Sequence, residues 1–309
     1  MQQFSGIWIP LITPFRDGAV DLPAAQGLIE TFHGSGIAGL VICGTTGEAA
    51  TLSATEQRQL LAAAQEAAGP ELPIMFGLAG NDTAAVCAAA RALNDIDLAA
   101  LLVSAPYYTR PSQAGLLRHF EQLAASTRHR IVLYNIPYRS GVNLGIDTCR
   151  ALASHPQFVA IKESNGIQLD QLGELIDSPL QVLCGEDSLA FVAGCLGADG
   201  AIAASAHLRP DLWVAMFQHL AAGRLAAARD IHRQLLPMVR LLFSEPNPAP
   251  LKAVLASEGM IRNELRLPML PASAALEAQL QDCWQRLRHW QPDTAPKPVN
   301  AAQLADPAI

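Results

Sequence analysis

Hydrophobic residues recur along the chain in two alternating patterns. Eight short, nearly continuous apolar runs appear at Gly6–Leu11, Ala38–Cys43, Pro73–Leu78, Ala99–Ser104, Ile131–Asn135, Phe158–Lys162, Leu180–Cys184 and Gly200–Ala204. Each predicts a strand covered on both faces, as in a parallel sheet. Between the runs lie longer amphipathic stretches with helix-start signals. Asp21 precedes Pro23, Ser53-Ala54-Thr55-Glu56 forms a capping box, and Asn81-Asp82-Thr83 leads into an Ala-rich segment. Eight strands alternating with helices predict an α/β chain, a (β/α)8 TIM barrel over residues 1–225. From Ala221 onward the strand pattern disappears, which predicts a C-terminal helical appendage over 226–290. Residues 291–309 are rich in Pro and Ala without periodicity and read as a disordered tail.

Composition narrows the function. Half of the 309 residues are hydrophobic, enough for a sizeable core, and the net charge of -7 disfavours a nucleic-acid partner. No apolar run approaches the roughly 20 residues a bilayer requires, and the first residues carry no signal-like pattern. A cytoplasmic protein with no membrane partner is expected. The six cysteines form no C-x-x-C pair and read as buried free thiols. The eight histidines show no metal-ligand spacing, and no phosphate-binding glycine loop is present, so neither a metal nor a nucleotide cofactor is expected.

The distribution of rare residues points to chemistry. Only three of the 21 basic residues are lysines: Lys162, Lys252 and Lys297. Lys297 lies in the tail, and Lys252, at the start of a helical pattern, reads as structural or surface. Lys162 ends an apolar run, so it is placed at the mouth of the barrel. Burial there would favour the neutral amine, the form that attacks a ketone; arginine cannot serve because it stays protonated. Pairing with the adjacent Glu163 is the structural alternative, and the strand pattern alone leaves it open. All four tyrosines cluster in two segments that follow predicted strands, Tyr107-Tyr108 and Tyr134 with Tyr138. The turn Gly44-Thr45-Thr46-Gly47-Glu48 also follows a strand, offering backbone and hydroxyl donors to a small anion. Arg139, in another such loop, could hold a carboxylate with two parallel hydrogen bonds. In this fold the loops after the strands carry the active site.

At these residues the chain resembles the dihydrodipicolinate synthase and N-acetylneuraminate lyase superfamily of class I pyruvate aldolases. The likeness runs from about Phe4 to Arg286. It includes Gly44-Thr45-Thr46-Gly47-Glu48, Pro106-Tyr107-Tyr108-x-Arg110-Pro111, Tyr134-Asn135-Ile136-Pro137, Ile161-Lys162-Glu163 and Glu245-Pro246-Asn247-Pro248. The resemblance implies a lyase whose cofactor-free chemistry uses a Schiff base between Lys162 and pyruvate. It implies proton transfer by Tyr134, with Thr45 linking Tyr134 to Tyr108. Thr46, with Gly44 and Gly47 in the same turn, would hold the pyruvate carboxylate, and the backbone of Ile202 would lie close to the ketoacid. It further implies a homodimer or homotetramer in which Tyr108 crosses into the neighbouring site.

Arg139 favours the synthase branch, where it would bind L-aspartate semialdehyde, the aldehyde condensed with pyruvate into 4-hydroxytetrahydrodipicolinate on the route to diaminopimelate and lysine. Tyr138-Arg139-Ser140-Gly141 and Ser164-Asn165 depart from the usual synthase residues. They motivate the alternative of a related aldolase or dehydratase acting on a 2-keto-3-deoxy sugar acid or a hydroxy acid. A non-catalytic ketoacid-binding barrel is the reading from a different class, and the intact lysine, tyrosines and threonine oppose it. At the lysine-feedback site of some synthases this chain has Ala49, Ala54, Gln57 and Ala85, although Asn81 and Tyr107 match. Insensitivity to lysine follows as an expectation.

Overall fold

The computed structural model describes residues 4–166 and 168–292. The expected tail lies outside the described residues from position 293 onward. Eight parallel strands form a closed barrel: β1 (Gly6–Pro10), β2 (Gly39–Ile42), β3 (Ile74–Leu78), β4 (Ala100–Ser104), β5 (Ile131–Asn135), β6 (Phe158–Glu163), β7 (Gln181–Cys184) and β8 (Gly200–Ile202). Each pairs with its sequence neighbour, and β8 closes onto β1 with Trp8 opposite Ile202. All eight fall where the apolar runs place them. Apart from Ile131–Asn135, which matches, the boundaries differ by a residue or two, and two of the differences have a local cause. Strand β2 stops before Cys43 because that residue turns to a left-handed φ of 57°. Strand β6 extends through Glu163 because it keeps register with Asn135 and Cys184 on both sides.

The helix-start signals operate as read. Ser53 and Glu56 exchange side-chain and backbone hydrogen bonds at the head of Ala54–Ala68. Asp21 caps Leu22–Glu30 with Pro23 in its first turn, and Asp82 caps Thr83–Arg91. A short antiparallel pair, Phe15–Arg16 with Ala19–Val20, precedes the first of these helices. After the helix Pro210–Ala221, three further helices follow among the described residues: Leu225–Leu242, Ala249–Ser257 and Ala274–Leu287.

Alternation along the strands divides the core into two layers. One set of positions, including Trp8, Val41, Met75, Val132, Ala160 and Leu183, fills the barrel interior. The other, including Ile9, Leu40, Leu133, Ile161 and Val182, packs outward against the helices. At the N-terminal end of the strands Phe4 stacks on Trp8 with ring centroids 6.0 Å apart, both only 1% exposed. The Trp8 ring lies across Gly39, where an added Cβ would come within 2.5 Å of it. The barrel is therefore plugged at this end.

Candidate active site

The inward positions of β5 and β6 continue the alternation to their C-terminal ends. Tyr134 follows Val132 and Lys162 follows Ala160, and the two are register partners. Both are buried, and Nζ of Lys162 stands 4.3 Å from the centroid of the Tyr134 ring. Glu163 takes the opposite face with Ile161. Its carboxylate accepts two hydrogen bonds from Nδ2 of Asn135 at 3.0 Å, one from the Asn165 backbone at 2.7 Å and one from Gln171 at 3.4 Å. Burial pushes the Glu163 carboxyl upward despite these donors. The Lys162–Glu163 pairing left open by the strand pattern does not form, because alternation sends the two side chains to opposite sides of the sheet.

Lys162 opens into a cavity of about 300 Å³ that also receives Gly44, Thr45, Tyr134, Arg139 and Asn247. A smaller recess continues from it past Thr46, Tyr138, Gly185, Asp187 and Ile202. Most of the residues singled out from sequence thus converge on one cleft at the C-terminal ends of the strands. Thr46 accepts a hydrogen bond from Nδ2 of Asn247 at 3.0 Å, which leaves the threonine proton free to be donated. Arg139 sits in a single helical turn, Pro137–Ser140, rather than in an open loop, and its guanidinium lies 5.6 Å from the Tyr138 ring centroid.

Two expected residues lie elsewhere. Gly47 does not line the cleft. Its N–H closes the turn onto Gly44 at 3.1 Å and its carbonyl accepts from the Thr13 hydroxyl at 2.6 Å, so it shapes the turn from behind. Tyr108 is 86% exposed, with a left-handed φ of 71°, and does not line the cleft of its own chain. Of the residues that depart from the synthase pattern after Lys162, neither lines the cleft directly, although the Ser164 hydroxyl lies against Gly185, which does. Ser164 is fully buried, and Asn165 bonds to Asn143 and Gln168.

Other contributors carried no sequence signal. Gly185 lies directly against the Lys162 side chain, with no room for a Cβ. Asp187 is buried in the recess and accepts from the backbone and hydroxyl of Ser205; burial pushes its carboxyl upward. Glu186 is raised by burial and by Asp187. Lys252, read from the sequence as structural or surface, is completely buried, and its ammonium pairs with Glu48. Five of the cysteines are buried as expected, whereas Cys195 is exposed on the helix Ala190–Leu196. Among the described residues no group of His, Cys, Asp or Glu could hold a metal ion, and no helix is long and apolar enough to cross a membrane.

Comparison with known proteins bears on this geometry. The sequence profile of the Dihydrodipicolinate synthetase family matches residues 3–287. The 4-hydroxy-tetrahydrodipicolinate synthase 2 of Clostridium acetobutylicum is 39% identical over 281 residues, covering 90% of this chain and 98% of the relative. The crystal structure of dihydrodipicolinate synthase from Thermotoga maritima superposes with a TM-score of 0.90 at 32% identity, covering 92% of this chain and 99% of that one. The chloride-inhibited enzyme from Acinetobacter baumannii, complexed with pyruvate, gives 0.89 at 31% identity over 92% and 99% of the two chains.

Proposed function

The chain belongs to the dihydrodipicolinate synthetase family, and on that premise we propose that it is a 4-hydroxytetrahydrodipicolinate synthase acting through a Schiff base on Lys162. The observation that carries this reading is the placement of the Lys162 amine beside Tyr134 in a cavity shared with Thr45 and Arg139. The neutral amine adds to the keto carbon of pyruvate, and the carbinolamine loses water to give an iminium. Loss of a proton from the methyl carbon gives an enamine, which attacks the aldehyde carbon of L-aspartate semialdehyde. The aldehyde oxygen becomes the 4-hydroxyl. The substrate's own amine then displaces Lys162 from the imine carbon, closing the ring and freeing the enzyme. One water leaves per turnover, which makes the enzyme a carbon–oxygen lyase by class. It needs no metal or nucleotide.

Tyr134 serves as the proton carrier for carbinolamine collapse and enamine formation, relayed through Thr45. Thr46, released to donate by its bond from Asn247, holds the pyruvate carboxylate together with Gly44, and Ile202 bounds the ketoacid from the recess. Arg139 takes the semialdehyde carboxylate. Tyr108 completes the relay of a second copy of the chain; its exposure beside the half-exposed Tyr107 supports a homodimer or homotetramer.

Borohydride reduction in the presence of pyruvate, followed by peptide mass spectrometry, tests the reading. A reduced pyruvyl adduct is expected on Lys162 and absent from Lys162→Arg; an adduct that persists in the variant sinks the mechanism. Turnover of L-aspartate semialdehyde against a panel of 2-keto-3-deoxy acids tests the second substrate, and preference for a sugar acid would reassign it.

A further inference from the structure

The turn that carries Thr45 and Thr46 is flanked by two non-glycine residues in left-handed conformation, Cys43 at φ 57° and Glu48 at φ 52°. Such backbone persists only where its surroundings over-determine it. Within the turn itself, few bonds do so: Gly47 N–H reaches Gly44, Glu48 N–H reaches Thr45, and Thr13 binds the Gly47 carbonyl. The remaining restraint comes from a distant part of the chain. Asn247 donates to the Thr46 hydroxyl, and five residues later Lys252 reaches the Glu48 carboxylate. Both ions are buried, with the lysine side chain fully enclosed and the glutamate nearly so.

The ammonium is held on every side. It donates to the Glu264 carbonyl at 2.9 Å and lies 4.3 Å from the centroid of the Phe15 ring. The second oxygen of Glu48 accepts from the backbone N–H of Arg266 at 3.3 Å. Arg266 is in turn fixed by Glu56 and by the same Phe15 ring, 4.6 Å away. A lysine in the first turn of a helix is misplaced with respect to the helix dipole, so helix stability does not explain Lys252. A buried ion pair is also weak grounds for global stability, since apolar residues of similar size often serve as well. What this pair does have is a fixed geometry next to the threonine turn.

We propose that Lys252 and Glu48, together with Asn247, form a clamp that positions Thr45 and Thr46 for pyruvate, so that the helix Ala249–Ser257 sets the ketoacid half of the site. Lys252 and Glu48 act through the turn and are positioning residues. The proposal rests on the Schiff-base reading above.

The test uses the full chain and follows borohydride trapping of Lys162 as a function of pyruvate concentration, a readout independent of the second substrate. Three variants are compared with wild type: Lys252→Met with Glu48→Gln together, which removes both charges, Glu48→Asp, which keeps the pair but shortens its reach, and Asn247→Ala. The expected result is a rise of about tenfold in the pyruvate concentration for half-maximal trapping, with the saturating yield, the thermal midpoint and the KM for the aldehyde little changed. Wild-type pyruvate dependence in the folded double variant overturns the clamp. If the double variant does not fold, wild-type dependence in Glu48→Asp overturns it equally. Absence of any adduct in the wild-type protein would instead defeat the Schiff-base reading itself.

Discussion

Gly185 and Lys162 are in direct contact: a Cβ at Gly185 would lie 2.6 Å from Cε of the lysine and 2.1 Å from the Ser164 hydroxyl. The glycine follows β7, and its N–H donates to the Glu163 carbonyl at 2.7 Å, so its backbone cannot retreat without breaking the sheet edge. Gly185→Ala should therefore move the amine rather than the backbone. A fall of about 100-fold in kcat/KM is expected, with folding retained. A variant with wild-type kcat/KM would show that the lysine tolerates displacement.

Tyr134 and Lys162 share one register, so removing the tyrosine hydroxyl leaves the pocket's shape unchanged. Tyr134→Phe should lower kcat by about 10²- to 10⁴-fold while pyruvate binding, read from trapping, changes little. Parallel losses in both would contradict a proton-carrying role.

What the sequence made legible and what it concealed separate by distance along the chain. Strands buried on both faces leave apolar runs, and lysine is rare enough here to mark position 162. The outward turn of Glu163 could have been derived from alternation with Ile161. Contacts between remote segments left no local trace. Thr46 and Asn247 are 201 residues apart and Glu48 and Lys252 are 204 apart, so a lysine that reads as ordinary proves to be enclosed. The role of Gly185 depends on which strand lies beside β6, which only the closed barrel reveals. Ser164 keeps the parity of Lys162 and is buried against Gly185, whereas Asn165 has the parity of Glu163 and bonds to Asn143 and Gln168.

The wall that would receive a lysine effector is poor in partners. Positions 49, 54 and 85 are alanine, and the Gln57 amide donates to the carbonyls of Ala49 and Leu52 at 3.2 and 3.3 Å. Without a carboxylate to meet its ammonium, lysine gains little by binding there. Steady-state rates should be unchanged by millimolar L-lysine; clear inhibition of the purified enzyme would contradict this.

His207 supplies a pH dependence of stability. Its Nε2 accepts from the Ile12 backbone at 3.3 Å and Nδ1 donates to the Ala204 carbonyl at 2.7 Å, a pattern only the neutral ring can satisfy. Burial pushes its pKa down to about 4. The unfolded chain binds this proton near the ordinary value of about 6.5, so the contribution is fully present above that pH and is lost as pH falls toward the folded value. Between pH 7 and 5 the loss amounts to about 2 kcal/mol from this residue. The stability gap between wild type and His207→Gln, measured by denaturant unfolding, should shift by that amount in favour of the variant on acidification. A constant gap would mean the ring is not held neutral.

The plug formed by Phe4 and Trp8 makes the barrel a cul-de-sac. Lys162 stands at the far end from this plug, so whatever reacts with the amine arrives and departs by the C-terminal mouth. In the proposed mechanism pyruvate, tethered to that amine, has to be admitted before its partner, which then sits across the exit above it. The finished product must clear that exit before another ketoacid can take its place. Traffic through the enzyme is thus a queue whose order is set by the closed floor of the barrel.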